Sequence, residues 1–225
     1  MLDSSNMNNG SGLIRDGVYS RIRTDILTCG LAPGSRVFEN DLAERYGVSK
    51  SPVRDALLRL QEHGLVEVLP RKGYLIRPIS LADAKDLYEM RLLLEKSCIR
   101  RACDFAIDDE LAALDRFRAA DHDDSLAEWV SYNRNFHRAI AVCSGNARMA
   151  KMSEEVIDQF DRLTFMGVSN LRADMVFDKL VEEHCEIIDA LQARGRSKVT
   201  GLITRHIKKS QKRLFTVLEN PPIVE

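Results

Sequence analysis

Apolar residues recur along this chain in two different rhythms, and the change between them divides it. Over Leu13–Leu27 they fall at Ile14, Val18, Ile22 and Ile26, a spacing of four that predicts an amphipathic helix, broken by Gly30, Pro33 and Gly34. A second helix is expected over Asn40–Tyr46, with a glycine stop at Gly47. A third opens at Ser51-Pro52 and runs to His63, where Gly64 ends it; Leu57, Leu58 and Leu60 are expected to face the core from it. Two β-prone runs follow, Leu65–Leu69 and Gly73–Arg77, about the turn Pro70-Arg71-Lys72-Gly73. From Ser80, which forms an N-cap signal with Asp83, every clear periodicity is helical. Helices are expected near 81–104, 108–121, 125–143, 147–167, 173–194 and 196–218, with breaks at Asp108-Asp109, His122–Asp124, Ser144-Gly145-Asn146, Ser169-Asn170 and Gly195. No proline lies between Pro78 and Pro221, which suits a continuous bundle.

The expected fold is therefore mainly α. A polar leader over residues 1–12, read as disordered, precedes an N-terminal winged helix-turn-helix over 13–78, built from three helices and a two-stranded wing. An all-α antiparallel bundle of about six helices fills 79–220.

Composition narrows the class. A chain of 225 residues with 44% hydrophobic and 30% charged residues is ordinary for a globular protein. No apolar run approaches the roughly 20 residues that span a bilayer, and the leader has neither the basic nor the apolar region of a signal peptide. Five scattered cysteines without a CxxC pair read as reduced, mostly buried thiols of a cytoplasmic protein. Net charge is −1, but it is uneven: residues 13–78 carry 11 Lys and Arg against 8 Asp and Glu, and residues 79–225 carry 22 against 25. The mildly basic part coincides with the winged unit.

Helix, tight turn, helix and wing are the parts of a DNA reader. Lys50, Ser51 and Arg54 share one face at the entry of the third helix, where a recognition helix meets base edges. Arginine is the usual bidentate partner of guanine, and lysine and serine commonly contact phosphate or base. Arg71 and Lys72 on the wing, beside Gly73, can reach the backbone or the minor groove. Arg59 reads as a solvated surface charge. The stretch GSRVFENDLAERYGVSKSPVRDALLRLQEHGLVEVLPRKGYLIRP resembles the winged helix-turn-helix of GntR-family bacterial regulators, and within it the FadR subgroup, whose C-terminal half is an all-helical effector domain. The resemblance spans about residues 13–215 and implies that Lys50, Ser51, Arg54, Lys72 and Gly73 occupy DNA-contacting positions. Asn40 stands where many members have a DNA-contacting arginine.

The helical half places polar residues on apolar stripes. Arg91 falls among Leu87, Tyr88, Leu94 and Cys98; Asn133 and His137 fall among Trp129, Val130, Phe136 and Ile140. His184 lies within Phe177, Leu180, Val181, Ile187, Ile188 and Leu191, and His206 within Val199, Leu202, Ile203 and Ile207. One buried histidine is usually a satisfied core residue. Three of the five histidines, on three helices, with an asparagine one turn from one of them, point instead to a shared cavity, because each unpaired buried polar group costs about 1–3 kcal/mol. His63 and His122 read as surface or capping residues, and Glu182 and Glu183 as solvated neighbours of His184. Three imidazoles and an oxygen donor suit a divalent Zn, Ni, Mn or Fe ion, with Arg91 free to pair a carboxylate effector. The family resemblance implies the same: many FadR-subgroup domains hold a metal through Asp-x3-His, His and His, and the pattern here is Asn133-x3-His137, His184 and His206. Asparagine in place of the acid is a weaker, neutral ligand.

These features predict a homodimeric regulator that reads a palindromic operator in double-stranded DNA under the control of a small organic acid and a divalent metal. A helical metal-dependent enzyme fused to a DNA-binding head is the alternative; no general base stands at motif spacing to support it. An architectural DNA binder would have no use for a polar cavity.

Overall fold

The computed structural model describes residues 7–120, 126–169 and 173–219. The expected breaks at His122–Asp124 and Asn170, together with His122, Pro221 and the first six residues, lie outside them. The chain forms two compact units that part between Ile79 and Ser80, one residue beyond the expected boundary.

In the first unit, α1 (Met7–Leu27) begins six residues before the periodicity that reveals it. Its early turns are Asn, Gly and Ser, which offer no apolar stripe and disfavour helix, so the sequence pattern there points to disorder and not to a helix. Val18, Ile22 and Ile26 are buried as their spacing requires. Next come α2 (Glu39–Tyr46) and α3 (Lys50–Glu62). Gly47 closes α2 at φ +66°, and α3 opens at Lys50, one residue earlier than expected. Val53, Ala56, Leu57 and Leu60 bury one face of α3 against α1 and α2. Leu58 is not among them: it is 45% exposed, because it stands about 100° around the helix from Leu57.

The wing contains a strand that was not expected. A two-residue β1 (Arg36–Val37) joins β2 (Val66–Leu69) and β3 (Gly73–Ile76) in an antiparallel sheet of order β1-β3-β2. Two residues are too few to show a period of two. The hairpin turns tightly. Lys72 N donates to Leu69 O at 2.9 Å, and Arg71 takes the left-handed conformation at φ +64°.

The second unit is helical throughout its described residues: α4 (Leu81–Phe105), α5 (Asp108–Ala112), α6 (Leu126–Cys143), α7 (Ala147–Ser169), α8 (Ala173–Gln192) and α9 (Arg196–Glu219). The expected helix over 108–121 is α5 followed by a 3-10 helix, Ala113–Phe117. Leu111, Leu114 and Phe117 are all buried, and their spacing of three matches the tighter winding. Ser80 caps α4 by accepting from Asp83 N at 3.4 Å, and Asn146 caps α7 by accepting from Met149 N at 3.1 Å. Helices α4, α6, α8 and α9 each turn a stripe of apolar side chains inward, and those stripes carry the candidate site.

Candidate functional site

Three helices deliver one imidazole each to the interior of the second unit. His137 of α6, His184 of α8 and His206 of α9 are at most 3% exposed, and one ring nitrogen from each lies within 4.8 Å of the others. The ring centroids are 5.0–5.7 Å apart. Phe136 stacks on the His184 ring at 3.8 Å and helps to fix its plane.

The hydrogen bonds on the far side of each ring decide which nitrogen faces the others. His137 Nδ1 is 2.6 Å from Glu95 Oε2, and His206 Nδ1 is 2.8 Å from Glu183 Oε2. A carboxylate can only accept, so both Nδ1 atoms carry the proton. His184 Nδ1 is 3.2 Å from the Tyr132 hydroxyl, which gives its single proton to Phe117 O at 2.7 Å. Tyr132 therefore accepts from His184, and this Nδ1 is protonated too. All three rings are left with an Nε2 lone pair. Nε2 of His137 and of His184 is buried and has no hydrogen-bond partner among the described residues.

Electrostatics hold the rings neutral. Burial pushes the pKa of His137 down to about 4, against the pull of Glu95, and pushes His184 well below the usual imidazole range. His206 is lowered by burial as well, although its bond to Glu183 works the other way. Glu95 is 1% exposed. Burial raises its pKa, but the permanent charge of Arg91 beside it wins and keeps the carboxylate ionised at neutral pH. Neutral imidazoles with outward Nδ1–H bonds are the state in which histidine binds a metal, and a carboxylate on the far nitrogen is the usual support. The buried, orphaned lone pairs fit a divalent ion.

Asn133 and Arg91 line a narrow cavity beside this cluster with His206, Thr164, Ser210 and Arg213; its volume of about 10 Å³ holds roughly one water. Arg91 does not stand free for an effector as expected. Its Nε donates to Glu95 Oε1 at 2.5 Å, and its guanidinium lies over the Phe160 ring. Arg213, half-buried and without a hydrogen bond to any acid among the described residues, supplies a second positive charge. Glu183 also departs from its reading. It is not a solvated neighbour of His184 but the partner of His206 and Lys209. Glu95, Glu183, Tyr132 and Arg213 were all missed. The spacing Arg91-x3-Glu95 inside an apolar stripe was the one available signal.

In the first unit, Lys50, Ser51 and Arg54 are exposed at the entry of α3, as are Arg71 and Lys72 at the wing tip. Asn40, Arg71 and Gly73 border one groove of about 340 Å³ between the start of α2 and the wing. Gly73 is packed rather than open: a Cβ there would come within 2.7 Å of Val37 O. Arg59 is occupied by Asp16 at 2.8 Å and lies over the Tyr19 ring, on the face turned to α1. His63 accepts or donates at 2.7 Å to the Tyr19 hydroxyl, in keeping with a surface role.

The comparisons agree with this division. Residues 14–76 match the family described as bacterial regulatory proteins, gntR family, and residues 86–209 match the FCD domain. The chain is 26% identical over 200 residues to the HTH-type transcriptional repressor RspR of Escherichia coli K12, covering 87% of this chain and 86% of that protein. It is 31% identical over 208 residues to the HTH-type transcriptional regulator BphR of Paraburkholderia xenovorans, covering 87% and 82%. The solved structure of E. coli McbR/YncC shares the fold with a TM-score of 0.76 at 20% identity, over 91% of this chain and 98% of that one. These relatives are transcription regulators, not enzymes, and the chain belongs to the gntR family as a DNA-binding transcription regulator with an FCD domain.

Proposed function

We propose that this protein is a cytoplasmic homodimer that binds a palindromic operator through Lys50, Ser51, Arg54 and the wing, and that a small organic acid bound in the FCD domain controls the binding. His137, His184 and His206 would hold a divalent ion, with the Asn133 amide oxygen as a weak fourth ligand. The observation that carries the reading is the common tautomer: three independent hydrogen bonds, to Glu95, Tyr132 and Glu183, turn three lone pairs inward. Bound there, Zn²⁺, Ni²⁺, Mn²⁺ or Fe²⁺ supplies Lewis acidity and coordination positions for carboxylate oxygens.

The chain's own residues set the selectivity. Glu95 already offsets Arg91, so the positive charge on the cavity wall that no direct ion pair among the described residues holds is Arg213, and an anion is the complementary guest. Asn133, Thr164 and Ser210 offer hydrogen bonds to hydroxyl or carbonyl groups of that guest. Because the cavity holds roughly one water, an organic acid selects a bundle in which the surrounding helices have parted. A preference of about 1.4 kcal/mol for that packing shifts DNA affinity tenfold if the two units are coupled.

Operator DNA selected from a random duplex pool provides the assay. Fluorescence anisotropy should show Arg54→Ala losing the selected site at matched salt, and His184→Ala retaining the site while losing its response to metal and to added carboxylates. Unchanged affinity of Arg54→Ala refutes the recognition-helix assignment. An undiminished carboxylate response in His184→Ala refutes the chamber as the sensor.

A further inference from the structure

Arg54 is an exposed side chain that is nonetheless held along one edge. Its Nε donates to Glu39 Oε1 at 2.9 Å and its Nη2 to Glu39 Oε2 at 2.8 Å. Glu39 is in turn fixed from a third element: the Tyr74 hydroxyl donates to Oε1 at 2.8 Å. Tyr74 is buried in β3, where it pairs with Val68 of β2 and Val37 of β1. A carboxylate at the start of α2 thus ties the entry of α3 to the sheet of the wing. The side chain of Glu39 is 19% exposed, against 60% for that of Arg54, so the acid is seated and the guanidinium projects beyond it.

The geometry of the fork gives this tie a meaning. A guanidinium has five N–H donors, and the side-on contact with Glu39 uses Nε–H and one hydrogen of Nη2. Both hydrogens of Nη1 and the second of Nη2 remain. They form the end-on edge that matches O6 and N7 of guanine. Glu39 leaves open the edge that reads a base and fixes its direction. It also removes the rotamer freedom a long side chain would otherwise lose on binding. The same carboxylate carries a negative charge close to the surface that would face phosphates, so it opposes sequence-independent attraction to any duplex.

We infer that Glu39 is a positioning residue that sets base discrimination through Arg54, strengthening the preference for guanine while weakening non-specific binding. The inference rests on Arg54 being a base-contacting residue. It separates from a merely structural ion pair by sign. Loss of a structural pair weakens every duplex alike, whereas loss of this one should move the selected site and a non-specific duplex in opposite directions.

The test uses full-length protein and a site selected with the wild type from a random duplex pool. Anisotropy at one salt concentration is read on that site, on versions with each guanine replaced, and on an unrelated duplex. Glu39→Gln keeps the size and the Tyr74 contact but loses the charge and the bidentate grip. Discrimination at one guanine is expected to fall about tenfold, within the range of a good bidentate base contact. The unrelated duplex is expected to bind about two- to threefold tighter, as one repulsive charge near the phosphates is removed. Tyr74→Phe, which only unties Glu39, should lower discrimination less. Glu39→Gln/Arg54→Ala should discriminate no worse than Arg54→Ala alone. Thermal melting accompanies each variant, and Tyr74→Phe provides the reading if Glu39→Gln fails to fold. The inference is overturned if Arg54→Ala lowers discrimination at a guanine but Glu39→Gln does not, or if both duplexes weaken together in Glu39→Gln. If Arg54→Ala leaves every base preference intact, the base-reading role of Arg54 fails first and this inference falls with it.

Discussion

Replacing Glu95 by alanine strikes the chamber at its buried charge pair. Arg91 and Glu95 are each 1% exposed, and the carboxylate accepts from Arg91 Nε and from His137 Nδ1. Alanine leaves a guanidinium out of water without a counter-charge, and an imidazole N–H without an acceptor. Removing one partner of a buried pair costs about 3–5 kcal/mol. The carboxyl group gives an independent figure. Burial alone would raise its pKa, yet Arg91 and the His137 contact bring it from 4.5 to about 2, a net stabilisation of about 3 kcal/mol. The two values agree, so the metal-free Glu95→Ala protein should melt about 6–20 °C below wild type, at roughly 2–4 °C per kcal/mol for a unit of this size. Replacing both partners by apolar side chains of similar volume, Arg91→Met/Glu95→Leu, should cost less than the single substitution, about 1–3 kcal/mol, because no lone charge remains and only the His137 Nδ1–H loses its acceptor. Urea denaturation followed by circular dichroism reads both variants. A single variant within about 1 kcal/mol of wild type would refute the placement of Glu95 against Arg91.

Acid should destabilise the metal-free protein well above the carboxylate range. His137, His184 and His206 all have folded pKa values lowered from 6.5, so below about pH 6.5 the unfolded chain binds protons that the folded one refuses, and stability falls as the pH falls, by up to about 1.4 kcal/mol per unit for each histidine that is still neutral in the folded protein; for His137 that range reaches down to about pH 4. Urea midpoints at pH 7, 6 and 5 check this, and a flat series contradicts it. In the wing, Gly73→Ala should cost about 2–4 kcal/mol, since φ is +82° and the new Cβ would meet Val37 O at 2.7 Å and the Phe38 ring at 2.8 Å. Gly47→Ala, with φ +66° and open space around it, should cost about 1–2 kcal/mol. Equal melting temperatures for the two variants would remove the steric role of Gly73.

What the sequence could tell depended on where each residue's partners lie. Val18, Ile22 and Ile26, and Val53, Leu57 and Leu60, show their burial through helical spacing alone, and Gly47 and Gly64 mark where α2 and α3 end. Leu58 is exposed against expectation because hydrophobicity alone does not report a residue's angle on the helix. The three chamber histidines stood out because a polar ring inside an apolar stripe breaks a local pattern. Glu95 and Glu183 broke none that was recognised: carboxylates are common on surfaces, and their partners His137 and His206 lie 42 and 23 residues away. Tyr132 was hidden for a similar reason, since its partners Phe117 and His184 come from other elements. Arg91 lies on its expected stripe, but Glu95 one turn along takes the pairing that the sequence pattern leaves to a ligand. Local periodicity thus reports which side chains turn inward. Which of them neutralise one another is decided by the packing of helices distant in sequence.

Three imidazoles that present lone pairs to one another in a closed chamber should bind a divalent ion. Native mass spectrometry of protein purified without added metal, then stripped with EDTA and titrated with Zn²⁺, tests this most directly. The expected result is one ion per chain in the wild type, lost on stripping and regained on titration, and none in His184→Ala. A folded wild-type protein that takes up no ion at micromolar Zn²⁺, or a His184→Ala variant that binds it equally well, would contradict the chamber as a metal site.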